Sequence, residues 1–150
     1  MDGARRVLLA VPAGLALAEL ASAAASAPTA EPVVQPANPS PAAFAERALE
    51  MRRISLARGD QPYGAVVVKD GRIVGLGVSA VVTGNDPTAH AEMQAIRDAA
   101  RRLGTRDLSG CELYGSSRAC PMCEAAAYWA RIARLRYGEG PADGGAPALR

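Results

Sequence analysis

The chain contains one histidine, His90, and its position limits what the rest of the sequence can build. It sits in Asp86-Pro87-Thr88-Ala89-His90-Ala91-Glu92, at the head of an apolar-periodic segment. A Cys120-Pro121-Met122-Cys123 motif follows, with its cysteines 30 and 33 residues downstream of the histidine. Both motifs stand where a helix starts. Ala91, Ala95, Ala99 and Leu103 keep helical spacing after the first, and Pro121 suits the first helical position after the second. Cysteines at i and i+3 share one face of a first turn. If the three side chains meet, two helix N-termini must converge, with 29 intervening residues (91–119) forming the crossover.

The residue types give that convergence a chemical meaning. Imidazole nitrogen and thiolate sulfur bind Zn²⁺, and a catalytic zinc site keeps three protein ligands and an open fourth position. The total of three cysteines is odd and poorly suited to a disulfide framework, whereas a C-x-x-C pair forms a metal clip. Helix N-termini and a bound metal both favour thiolate. Two thiolates and a neutral imidazole leave a zinc centre formally neutral, able to hold and polarise water. Glu92, two residues beyond His90, can flank a cleft past the helix end and move protons without binding the metal. Thr88 is expected to cap this helix. Each feature has a bland counterpart: a tolerated histidine, a structural C-x-x-C, a helix-dipole glutamate. Their combination is what carries the metal reading.

The surrounding pattern is that of a small α/β domain. Ser40-Pro41 opens a helix that Gly59 ends. Val66-Val67-Val68 and Ile73-Val74 flank a Lys69-Asp70-Gly71-Arg72 turn, predicting a hairpin. A helix from about Thr88 to Leu103, a strand at Cys111–Gly115, a helix from Cys120-Pro121 to about Ile132 and a strand at Arg134–Gly138 complete the order αββαβαβ. Such an order implies a sheet with helices on its faces. Cys111 reads as a small apolar strand residue, with a fourth, structural zinc ligand as the alternative. Tyr128 and Trp129 are expected in the core between the last helix and the sheet.

Flanking segments differ in kind. Residues 1–27 carry Arg5-Arg6, an apolar stretch from Val7 to Ala18, and Ala-x-Ala spacing at Ala21–Ala23 or Ala23–Ala25. This is the layout of a secretory signal peptide, loosely of the twin-arginine type, and it predicts an exported, periplasmic protein. An Ala-rich N-terminal helix on a cytoplasmic protein is the alternative. Residues 28–41 hold five prolines and read as an extended linker, outside any packed core. The Gly/Pro/Ala-rich residues 139–150 read as a flexible tail. A net charge of +2 gives no electrostatic case for nucleic acid. Once the signal is cleaved, no membrane contact is expected.

The motifs "HAE" and "CPMC", with "PYGAVVVKDGRIVGLG", "NDPTAHAEMQAIRDAARRLG", "LSGCELYGS" and "CPMCEAAAYWARIARLRYG", resemble the zinc-dependent cytidine deaminase superfamily. The resemblance runs from Phe44 to Gly138 and leans toward the branch of guanine deaminases and tRNA adenosine deaminases. It implies a three-layer αβα sandwich of cytidine deaminase type over residues 42–138, with a shortened C-terminal end. It implies His90, Cys120 and Cys123 as zinc ligands and Glu92 as the proton carrier in hydrolytic loss of ammonia. The substrate implied is a purine or pyrimidine base or nucleoside, guanine-type purines first, and the assembly implied is a homodimer. Tyr63 and Ser79 fall at substrate-contacting positions. A tRNA adenosine deaminase, with Arg131, Arg134 and Arg136 on phosphate, is one alternative; a non-catalytic zinc module is another. Three departures motivate the latter: Arg118-Ala119 where the family has Glu-Pro, Ser79 where it has asparagine, and the short C-terminus.

Overall fold

The computed structural model describes residues 32–149, so the expected signal peptide lies outside the described residues. Eight elements follow in chain order: α1 (Pro41–Ala57), β1 (Gly64–Lys69), β2 (Arg72–Val78), α2 (Ala91–Leu103), β3 (Cys111–Gly115), α3 (Pro121–Trp129), β4 (Arg134–Tyr137) and β5 (Ala142–Gly145). The five strands form one sheet in the order β2-β1-β3-β4-β5. Only β3 and β4 run parallel, joined through α3; the other pairs are antiparallel.

The hairpin forms as its turn chemistry demands. Asp70 and Gly71 both take positive φ, 48° and 71°, the conformation that lets a two-residue turn follow the strand twist. β1 is central and buried on both sides, so its Ala65-Val66-Val67-Val68 run alternates between two cores rather than between core and water. Val66 and Val68 join Ile73 and Tyr114 against Phe44, Ala45, Ala48 and Met51 of α1. Ala65 and Val67 join Leu113 and Leu135 against alanines of α2 and α3. A bulge at Val67/Val68 keeps both β2 faces in register with these cores. The result is the three-layer αβα sandwich.

The α2 layer lies unusually close to the sheet. A Cβ on Gly77 would sit 1.9 Å from the Ala91 carbonyl oxygen, and one on Gly75 would sit 2.5 Å from that of Ala95. Glycine on the strand and alanine on the helix therefore set the height of α2 over β2. Ala91 is the first residue of α2, so the same contact sets where the helix begins.

Four expectations need correction. Residues 28–41 are not a detached linker throughout. Val33 packs against the α1 core. The Gln35 amide donates to the Ile73 carbonyl and accepts from the Ile73 N–H, both at 2.8 Å, closing part of the β2 edge. The tail reading of 139–150 fails at Ala142–Gly145, which pairs with β4. Gly144 has no side chain and can lie against Leu135 and Tyr137, while Asp143 pairs with Arg134. Thr88 does not cap α2: its hydroxyl donates to Asp86, and His90 occupies the cap position. Tyr128 and Trp129 are exposed rather than core, Trp129 by 73%. Helix α3 ends at Trp129, earlier than Ile132; its buried face is Cys123, Glu124 and Ala127, and the two rings pack edge to face outside it.

Gly77→Ala is expected to destabilise by about 2–3 kcal/mol, since backbone would have to move to admit the methyl. Gly140→Ala, which meets nothing within 4 Å, should be near neutral. Thermal melts followed by circular dichroism compare the two variants.

Candidate metal centre

Two helix starts supply the candidate ligands. His90 is the cap residue of α2 and Cys120 that of α3; both have extended backbones and neither side chain caps its own helix. Pro121 holds the first position of α3, as expected, and Cys123 follows one turn on from Cys120. The free side chains turn toward each other. His90 Nδ1 lies 3.6 Å from the Sγ atoms of both Cys120 and Cys123. The two sulfurs are also 3.6 Å apart.

That triangle fits zinc. Zn–S bonds of about 2.3 Å and Zn–N bonds of about 2.0–2.1 Å at tetrahedral angles require S···S near 3.8 Å and S···N near 3.5 Å. Among the described residues, no other group of three possible ligands comes together in this way. Cys111 lies in the core between sheet and helices, at the far end of β3 from the strand end that approaches Glu92. It behaves as the small apolar residue expected, and the fourth-ligand alternative falls. The group is thus a three-ligand site.

Glu92 stands beside the triangle without joining it. It is the second residue of α2, only 5% exposed. The Cys123 thiol donates to its Oε2 at 3.6 Å. Burial pushes the Glu92 carboxyl above its ordinary range, against its own backbone N–H, the Cys123 thiol and His90. Burial likewise pushes the Cys123 thiol up, and the Glu92 charge adds to it. At Gly115 a Cβ would lie 2.6 Å from the Ser117 carbonyl and 3.4 Å from Glu92 Oε1, so the strand end must be glycine for the loop to turn beside the carboxylate. A cleft opens from Glu92 past Gly115, Ser117 and Arg118 to Tyr137. The Arg118 guanidinium lies over the Tyr137 ring, 6.0 Å from its centroid, on the wall of this cleft.

The residues expected at the substrate are placed differently from one another. Tyr63 is exposed on the loop before β1, and its carbonyl accepts from the Ser79 N–H. Ser79 is 1% exposed, and its hydroxyl is donated to Asp60 at 2.7 Å. Asp60 escaped the sequence reading. As Gly59-Asp60 after a helix it looked like an ordinary stop, and its partners are 19 to 23 residues away in the chain. The three arginines considered for phosphate are all engaged: Arg131 with Asp107, Arg134 with Asp143, Arg136 with Glu112.

Known proteins share this arrangement. The profile of the cytidine and deoxycytidylate deaminase zinc-binding region matches residues 40–139. A guanine deaminase of Bacillus subtilis is 54% identical over 76 residues, 51% of this chain and 49% of that protein. A tRNA-specific adenosine deaminase of Aquifex aeolicus is 42% identical over 94 residues, 63% of this chain and 62% of that protein. This chain therefore spans only about half to three-fifths of these relatives. Among solved structures, guanine deaminase of Nitrosomonas europaea superposes with a TM-score of 0.65 at 31% identity, covering 69% of this chain and 61% of that one. The chain belongs to the cytidine and deoxycytidylate deaminase zinc-binding family.

Proposed function

We propose that the domain is a zinc-dependent hydrolytic deaminase of a free nucleobase or nucleoside, with guanine-type purines first. One observation carries the reading: a buried carboxylate, Glu92, adjoins a three-ligand metal site and opens onto a cleft. His90, Cys120 and Cys123 hold the metal, which when bound supplies a Lewis acid that makes water nucleophilic near neutral pH. The remaining work falls to the chain's own side chains. Glu92 takes a proton from the attacking water and gives it to a ring nitrogen of the base. The water oxygen bonds to the amino-bearing ring carbon, and its second proton passes through Glu92 to the amino group as the C–N bond breaks. The balance is one water consumed, one ammonia released and a ring carbonyl formed. Burial of Glu92 suits this role, because it raises the carboxyl above its ordinary range and so favours holding a proton that must be passed on. Tyr63, an exposed aromatic on the loop before β1, stacks on the base in this reading.

The guanine preference is supported by the Bacillus and Nitrosomonas relatives. The Aquifex relative keeps a tRNA substrate as the second reading. Against that reading, Arg131, Arg134 and Arg136 are each held by a carboxylate and would have to exchange it for phosphate. We also infer a homodimer, supported by the exposed Tyr128–Trp129 pair, and export, supported by the layout of residues 1–27. No helix among the described residues is long and apolar enough to cross a membrane.

Glu92→Gln should retain one equivalent of zinc by elemental analysis yet lose ammonia release by roughly 10²–10⁴-fold. Cys120→Ser should lose the zinc itself. A panel of guanine, adenine, cytosine, their nucleosides and tRNA identifies the substrate; no ammonia from any of them sinks the enzyme reading in favour of a non-catalytic zinc module. Trp129→Ala is expected to weaken a dimer roughly tenfold or more by light scattering across a dilution series. Mass spectrometry of the native N-terminus checks export: an intact Met1 would end that inference.

A further inference from the structure

We infer that Asp60 is a positioning residue for the metal site, its carboxylate fixing the arm of chain that sets His90. The inference rests on the zinc reading for the meaning of His90, but it stands on hydrogen-bond geometry of its own.

The Asp60 carboxylate takes six hydrogen bonds. Oδ1 accepts from the Gln61 N–H at 2.8 Å, the Ser79 hydroxyl at 2.7 Å and the Val81 N–H at 3.1 Å. Oδ2 accepts from the Val82 N–H at 3.0 Å, the Thr83 N–H at 2.7 Å and the Thr83 hydroxyl at 2.8 Å. Three consecutive backbone N–H groups of the β2–α2 connection, those of Val81, Val82 and Thr83, and the hydroxyls of Ser79 and Thr83 are thus drawn around one buried anion. Among the described residues no ion pair is recorded for it, so hydrogen bonds alone offset the cost of burying the charge. Burial would raise this carboxyl; the bonds from Thr83, Ser79 and Gln61 outweigh it and hold the group well below the usual range.

The arm passes this constraint to His90. The Ala80 N–H donates to the Ala89 carbonyl at 2.9 Å, tying the start of the connection to the residue before His90. Val81 accepts from the Asp86 N–H at 3.1 Å, and Asp86 accepts from the Ala89 N–H at 3.0 Å. At its other side Asp60 is bound to the end of α1, its own N–H donating to the Ser55 carbonyl at 3.1 Å. The Ser55 hydroxyl, 2.6 Å from the Gln61 carbonyl, locks the same turn. The position of the imidazole is therefore referenced, through Asp60, to a helix on the opposite face of the sheet. Ser79 serves this arm with its hydroxyl.

Asparagine cannot replace the carboxylate. It has one acceptor oxygen, and its NH₂ would face three donors on the other side. Asp60→Asn should release zinc to an excess of a chromogenic chelator at least tenfold faster than the wild type. Its Co²⁺-substituted form should show altered thiolate-to-metal and visible bands. Asp98→Asn is the control: Asp98 is also buried on α2, accepts from the Leu76 N–H and pairs with Arg101 and Arg102. It should lower the melting temperature while leaving zinc release within twofold. If Asp60→Asn does not fold, the double variant Ser79→Ala/Thr83→Val, which removes only the two hydroxyl donors, is judged by the same chelator and cobalt measurements. Wild-type zinc release from the folded variant, or equal acceleration in Asp98→Asn at equal loss of melting temperature, overturns the inference. Failure of every substrate to yield ammonia would sink the deaminase reading and leave this comparison untouched.

Discussion

The seating of α2 on β2 is the constraint on which the rest depends. Helix and strand meet through backbone and methyl groups because Gly75 and Gly77 offer no side chains and Ala91, Ala95 and Ala99 offer the smallest. That contact fixes both the height and the start of α2, and the start of α2 is where His90 and Glu92 stand. α3 reaches the same place from the parallel β3–β4 crossover, bringing Cys120 and Cys123. The candidate metal site is assembled at two helix starts, with the β2–α2 connection holding the residue before His90. It inherits its geometry from the packing of the layer, and ligand separations of 3.6 Å follow from where the helices begin.

Much of this was legible in the sequence, and the legible parts share a cause. The hairpin turn, the proline start of α3 and the histidine–cysteine spacing depend on residues a few positions apart, or on a motif whose donors have one main use. What was missed depends on distance or on absence. Asp60 gathers donors from a segment some twenty residues away, which no local pattern announces. β5 forms in a Gly/Pro/Ala-rich stretch because Gly144 lacks a side chain and can approach Tyr137, whereas composition reads the same glycines as looseness. Val33 and Gln35 pack in a proline-rich run because each finds a specific partner, while the flanking Pro32 and Pro36 dominate the composition. Trp129 is exposed because α3 turns Cys123, Glu124 and Ala127 inward, a choice of face that two adjacent aromatic residues do not announce.

The site also separates tasks that could have been mixed. His90 and Cys120 stand at helix caps, Cys123 is the third residue of α3 and Glu92 the second of α2, and Ser117, Arg118 and Ala119 line the cleft beyond Glu92. Arg118 belongs to this wall, stacked on Tyr137. None of the three candidate metal ligands is among the residues lining the cleft. Arg118 and Ala119 fall on that wall, and Ser79 falls on the arm that Asp60 organises.

The two rims of the sheet are closed in different ways. On β2 the Gln35 amide occupies both polar groups of Ile73, and Asp98 takes the Leu76 N–H. On the other side β5 is four residues long, with Ala142 and Asp143 exposed and glycines behind them. Neither rim offers a long, flat row of free donors and acceptors. Growth of the sheet by addition of a strand from another molecule is thereby discouraged. A strand added at the β2 rim would first have to displace Gln35 from Ile73 and Asp98 from the Leu76 N–H.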